Sequence, residues 1–203
     1  PGVSAWITAN VETTSNLFNG ASVFNQDLSG WDMSKVTRMN YMFQGAELFD
    51  QDLSSWQVDN VKAMAGVFSA AKAFSHDISG WNTANVTNMS GMFYDAHSFD
   101  HDISGWNVAK VTDMSYMFFG SASLNQPIGS WDVSKVTTME SMFEYNLAFD
   151  QDISAWDVSK VVTFTGFMGN RNNTDFSYYD ELLQAWSALP SLQQTASIDF
   201  GGI

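Results

Sequence analysis

Tryptophan recurs at Trp6, Trp31, Trp56, Trp81, Trp106, Trp131 and Trp156, each 25 residues after the last. Val11, Val36, Val61, Val86, Val111, Val136 and Val161 follow five residues behind them. An aliphatic residue stands three before each, from Val3 and Leu28 to Ile153, and Phe18, Phe43, Phe68, Phe93, Phe118 and Phe143 stand twelve after the first six. A period held over seven units without insertion leaves few solutions. Each unit must be one coil that buries its apolar face only by stacking on its neighbours.

Within a unit, Ile-x-x-Trp-x-Val-x-x-Val places Trp and the residue two later on one face of an extended segment, which predicts a strand. The second half changes period. Met39, Met42, Phe43 and Ala46 follow the i, i+3, i+4, i+7 spacing of a short helix, as do Met114, Met117 and Phe118. Thr37, Thr112 and Thr137 are placed to cap such helices. The methionines recur beside phenylalanine at core spacing, so they read as core filling. The expected fold class is therefore an α/β solenoid, a leucine-rich-repeat-like right-handed stack of 25-residue coils, each a strand plus a short helix. Strands on the inside would make the stack concave there.

The period fails after Trp156, where Arg171-Asn172-Asn173 breaks the frame. Residues 1–170 read as the seven-coil stack, the last coil partial. Residues 171–203 read as a C-terminal cap, with a helix over about 177–189 that Pro190 ends and a final strand over about 196–200. The opening Pro-Gly-Val-Ser-Ala-Trp is no signal peptide, and the chain reads as a module of a longer protein.

Composition narrows the function. Of 203 residues 45% are hydrophobic, including sixteen Phe, which suits a packed core despite a net charge of −14. Eight Lys and Arg without a basic cluster argue against nucleic acid and against an anionic membrane surface. No apolar run approaches the ~20 residues of a membrane helix, so no membrane insertion is expected. With no cysteine there is neither a disulfide frame nor a thiolate zinc site. No phosphate loop, Gly-x-Ser-x-Gly or His-Glu-x-x-His is present, and the carboxylates are too evenly spread to single out an acid–base pair, so the chain reads as non-enzymatic.

Two rows of polar residues stand out. Asp27, Asp52, Asp77, Asp102 and Asp152 share one place in the unit, which Pro127 takes in the fifth, and Asp50, Asp100 and Asp150 alternate with Asn25, Ser75 and Asn125 two residues earlier. As a metal site, Asp50, Asp52, Asp100, Asp102, Asp150 and Asp152 would form a calcium ladder. As architecture, each carboxylate would bind nearby amides at a corner, which the Asn, Ser and Pro variants favour. The second row follows each tryptophan: Asp32, Gln57, Asn82, Asn107, Asp132 and Asp157. Flanked by small residues on the concave strand face, it would receive a glycan or an extended peptide. Lys35, Lys135 and Lys160, three residues after its aspartates, suggest instead a solvated face with local charge pairs. His76 and His101 hold equivalent places in neighbouring units and read as a surface pair.

Units such as FDQDISAWDVSKV and WNVAKVTDMSYMF, with the closing YYDELLQAWSALPSLQQTASIDFGG, resemble the BspA-like leucine-rich-repeat surface proteins, a bacterial family with a 25- to 26-residue repeat. The resemblance covers nearly the whole chain. It implies a cell-surface or secreted protein engaged in adhesion, with no catalytic residues and no cofactor unless calcium. On this reading the chain is an acidic, monomeric module that binds an extracellular glycan or protein. The alternative is a stalk that spaces other domains and binds nothing itself.

Overall fold

The computed structural model describes residues 2–170 and 176–188. The 25-residue coils stack in register. Thr13, Arg38, Ala63, Asn88, Asp113, Thr138 and Thr163 each bridge the next in parallel, one residue per coil. Around each bridge one amide reaches back, as from Thr37 to Glu12 (2.9 Å), and one reaches forward, as from Thr14 to Arg38 (3.0 Å). The forward bonds continue at alternate residues, with Asn16, Phe18 and Gly20 donating to Asn40, Met42 and Gln44, while Leu17 and Asn19 close turns onto Thr14 and Asn16. Half of the amides therefore join coils and half curve each coil, which satisfies the buried backbone without a sheet.

The strand-plus-helix coil is overturned. Among the described residues the inter-coil pairing never extends beyond isolated bridges, and the only α-helix is α1, Tyr179–Ser187. The tryptophan segment is not extended because it is two turns in tandem. The amide of Trp31 closes onto Leu28 (3.0 Å) and that of Val36 onto Met33 (2.9 Å). Asp27 and Asp32 fix these turns by accepting the amides of Ser29 and Ser34. The methionine segment is not helical because two residues per coil lie in the left-handed region, as at Tyr41 (φ 56°) and Gly45 (φ 69°). An α-helix cannot continue through such residues. Thr37, Thr112 and Thr137 do not cap helices either. Their hydroxyls donate to the backbone carbonyl one coil back, at Glu12, Thr87 and Thr112.

The core is a set of side-chain ladders. Phe18 to Phe143 stack from coil to coil with ring centroids 5.6–5.9 Å apart. A second file, Phe24, Phe49, Phe74 and Phe99, runs beside it, and the two files meet within the coils at 3.9–4.2 Å. The methionines of the turn segments are fully buried around them. Tryptophan fits its place because it is both large and a donor. Each indole from Trp31 to Trp156 gives its Nε1–H to the aliphatic residue's carbonyl one coil back, at 3.0–3.2 Å. Leucine could fill this slot but could not bond that carbonyl.

Helix α1 lies on the last coil, with Leu182 and Trp186 buried and the Trp186 ring 5.4 Å from Phe164 and 5.6 Å from Phe167. Asp180 and Glu181 occupy its first turn, where negative charge suits the helix dipole. The strand expected over 196–200 lies outside the described residues.

Candidate functional site

The corner carboxylates are held by the backbone. Asp27, Asp52, Asp77, Asp102 and Asp152 each accept the amide of the serine two residues on, at 2.8–2.9 Å. Asp50, Asp100 and Asp150 serve between coils, accepting the amides of Ser75, Asn125 and Ser177. Asn25 and Asn125 do the same for Asp50 and Asp150. Asn can replace Asp here because the task needs one carbonyl-type oxygen and no charge. Gln51, Gln126 and Gln151 add side-chain bonds to this row. In the glutamine place, His76 Nε2 lies 3.1 Å from Asp50 O and His101 Nε2 lies 2.7 Å from Ser75 O. Among the described residues no group of three carboxylates or imidazoles could hold a metal ion.

The same bonds shift the acids. The amide and then the hydroxyl of the serine two residues on hold Asp52 and Asp77 below the ordinary carboxylate range; hydroxyl and then amide do so for Asp102 and Asp152. A carboxylate depressed by folding contributes stability above its unfolded pKa, and this is lost as pH falls through the folded value. Asn82 and Asn107 already make the same turn without a titrating group. A variant carrying Asp77→Asn and Asp102→Asn should therefore lose less melting temperature than the parent between about pH 6 and about pH 3. Equal losses in the two proteins would show that these turns are indifferent to charge.

The row after each tryptophan is exposed at all six places, Asp32, Gln57, Asn82, Asn107, Asp132 and Asp157. It lies at the second corner of each coil, not on a strand face. Five of the six accept the amide two residues on; Gln57 is the exception. Asp32 and Gln57 line an open polar depression of about 330 Å³ with Gly30 and Ser55. The expected pairing of Asp32 with Lys35 gives way to a bond from Lys35 Nζ to Asn10 Oδ1, at 2.6 Å. The row shapes the coil before it offers anything to a ligand.

A different site emerges on the turn segments. Asn16, Tyr41, Gly66, Gly91, Tyr116, Ser141 and Gly166 share one left-handed position. Tyrosine is costly there, and Gly or Asn serves in four of the other coils. Tyr41 and Tyr116 stand either side of the two bare glycines. The Tyr41 ring lies over Gly66, where an added Cβ would fall 2.4 Å from its Cδ1. Between the rings is a groove of about 380 Å³ lined by Tyr41, Tyr94, Tyr116, Gln44 and the small residues of three coils. The wall is braced. Tyr94 stacks on Phe119 at 4.6 Å and 1°, and Tyr145 meets Phe119 edge-on at 5.2 Å.

Charge gathers at this wall. Tyr116 donates its hydroxyl to Glu140 (2.5 Å), a bond that leads the causes pushing its pKa up to about 12. Desolvation, then Asp95 and Glu144, raise that of Tyr94. The sequence signal was the tyrosines at Tyr41 and Tyr116 in a column otherwise filled by small or amide residues.

The family model for a Mycoplasma protein of unknown function, DUF285, matches residues 1–100 and again residues 75–179. No curated protein matches. No solved structure matches.

Proposed function

Because the chain belongs to the DUF285 family of Mycoplasma repeat proteins, we propose that it is a non-enzymatic recognition module of a surface protein, and that its ligand seats in the tyrosine groove. The observation that carries this reading is the break in the repeat. Polar rows that recur along the stack are occupied by turn and inter-coil bonds, whereas Tyr41, Tyr94 and Tyr116 converge at one place, and Tyr41 and Tyr116 take left-handed backbone to do so. Left-handed backbone at bulky residues is retained where function needs it. The surface location is part of this proposal and draws on the likeness of the repeat to BspA-like surface proteins; no described helix is long and apolar enough to cross a membrane.

The spacer reading draws support from the corner rows, whose side chains serve the stack itself. Binding of the purified module to an array of glycans and matrix proteins, with calcium and again with chelator, separates the two. Reproducible binding is expected. A blank array in both conditions would leave the spacer, and binding lost only in chelator would return the corner acids to the ligand.

A further inference from the structure

The groove's hydrogen-bonding polarity points to its ligand, and the argument rests on the groove being the recognition site. On the side formed by Ser90, Ser115 and Tyr116 its hydroxyl protons are already used. Ser90 Oγ donates to Asn88 Oδ1 at 2.7 Å, Ser115 Oγ donates to Asp113 Oδ1 at 2.6 Å, and Tyr116 donates to Glu140. What these groups still offer is lone pairs. The tyrosine faces are electron-rich as well. A glycan brings hydroxyls that need both donors and acceptors, whereas a guanidinium brings five donors and no acceptor.

The wider charge agrees. The turn segments of residues 38–45, 63–70, 88–95, 113–120 and 138–145 carry Asp95, Asp113, Glu140 and Glu144 against a single basic residue, Arg38. The whole chain stands at −14. A planar cation can stack on tyrosine, bond to serine lone pairs and sit in the field of these carboxylates at once.

We propose that the tyrosine groove binds an arginine side chain presented by a basic segment of a partner protein. Tyr41 and Tyr94 supply the stacking faces, and Ser90, Ser115 and Tyr116 supply the acceptors. Glu140 and Glu144 contribute field without entering the lining.

The test is calorimetric titration of the intact chain with acetylated tetra-arginine amide at physiological salt, against tetra-lysine and a neutral oligosaccharide. Tyr41→Asn and Tyr94→Ser are suitable variants, because Asn16 and Ser69 already occupy those places in other coils. Each should weaken the arginine peptide by about tenfold or more, with melting temperature retained. Asp180→Asn, which removes one charge from helix α1, should change it less than about twofold. Unchanged affinity in both tyrosine variants, or no binding of the peptide, overturns the proposal. Tyrosine-dependent binding of the oligosaccharide would overturn the arginine assignment and leave the recognition module standing. A blank result here beside a positive array would likewise fall on this inference alone.

Discussion

Trp81→Ala should destabilise the protein by about 3–5 kcal/mol, the range for removing a buried aromatic side chain. The ring is 3% exposed and lies 6.3 Å from Trp56 and 6.0 Å from Phe68, so its loss opens a cavity between two coils. The indole also donates to Leu53 O at 3.1 Å. Trp81→Phe separates the two roles, since it keeps an aromatic ring and loses the donor. Leu53 O retains the amide of Trp56, so the missing bond should cost about 1 kcal/mol, with a further loss for the smaller ring. Urea unfolding of the three proteins gives the comparison. If phenylalanine proved as damaging as alanine, the bond and not the packing would fix tryptophan in this place; if it cost nothing, the indole donor would be dispensable.

The second large effect concerns the coil that lacks its aspartate. Six coils have serine two residues after the corner position, from Ser4 to Ser154, while the coil of Trp131 has Gly129 behind Pro127. Gly129→Ser would restore the repeat's own residue and should nonetheless destabilise, by about 1–3 kcal/mol or more. An added Cβ at Gly129 would lie 2.2 Å from the backbone oxygen of Asp152 in the next coil. That oxygen belongs to a corner and cannot swing aside as a side-chain tip can. Pro127 supplies no carboxylate for the turn, and Ile128–Ser130 forms a short 3-10 helix in its stead. Proline and glycine are one substitution in two parts. A neutral outcome in thermal unfolding would mean that the coil of Trp156 yields easily at this corner.

The period and the buried columns were legible because each depends on spacing alone. The local conformation was not. The spacing at Met39, Met42, Phe43 and Ala46 is that of a helix face, and only the glycines at this column and the next, such as Gly45, Gly66 and Gly91, hint that left-handed residues interrupt it. Those places also accept Tyr41, Ala70 and Tyr116, which hides the signal. The tryptophan segment misleads through its valines. Its aspartate and serine two residues apart, found twice in the units of Trp31 and Trp156, are turn chemistry that outweighs the alternation. The polar row after each tryptophan is exposed, yet five of its six side chains are engaged by the turns. The groove escaped notice because its tyrosines come from three coils and are adjacent only once the chain is wound.

One consequence of the stacking concerns how the chain acquires its structure. The bonds that join coils link residues 23 to 28 apart, whether between bridge backbones, indoles or asparagines. No partner must be sought from the far end of the sequence. Loop closure is then a small, repeated entropic cost that does not grow as units are added. Any adjacent pair of coils can serve as the nucleus, and structure then spreads outward by one unit at a time. Lengthening the array should add cohesion without slowing its formation, and the coil of Trp131, with its substituted corner, is where such spreading would pause.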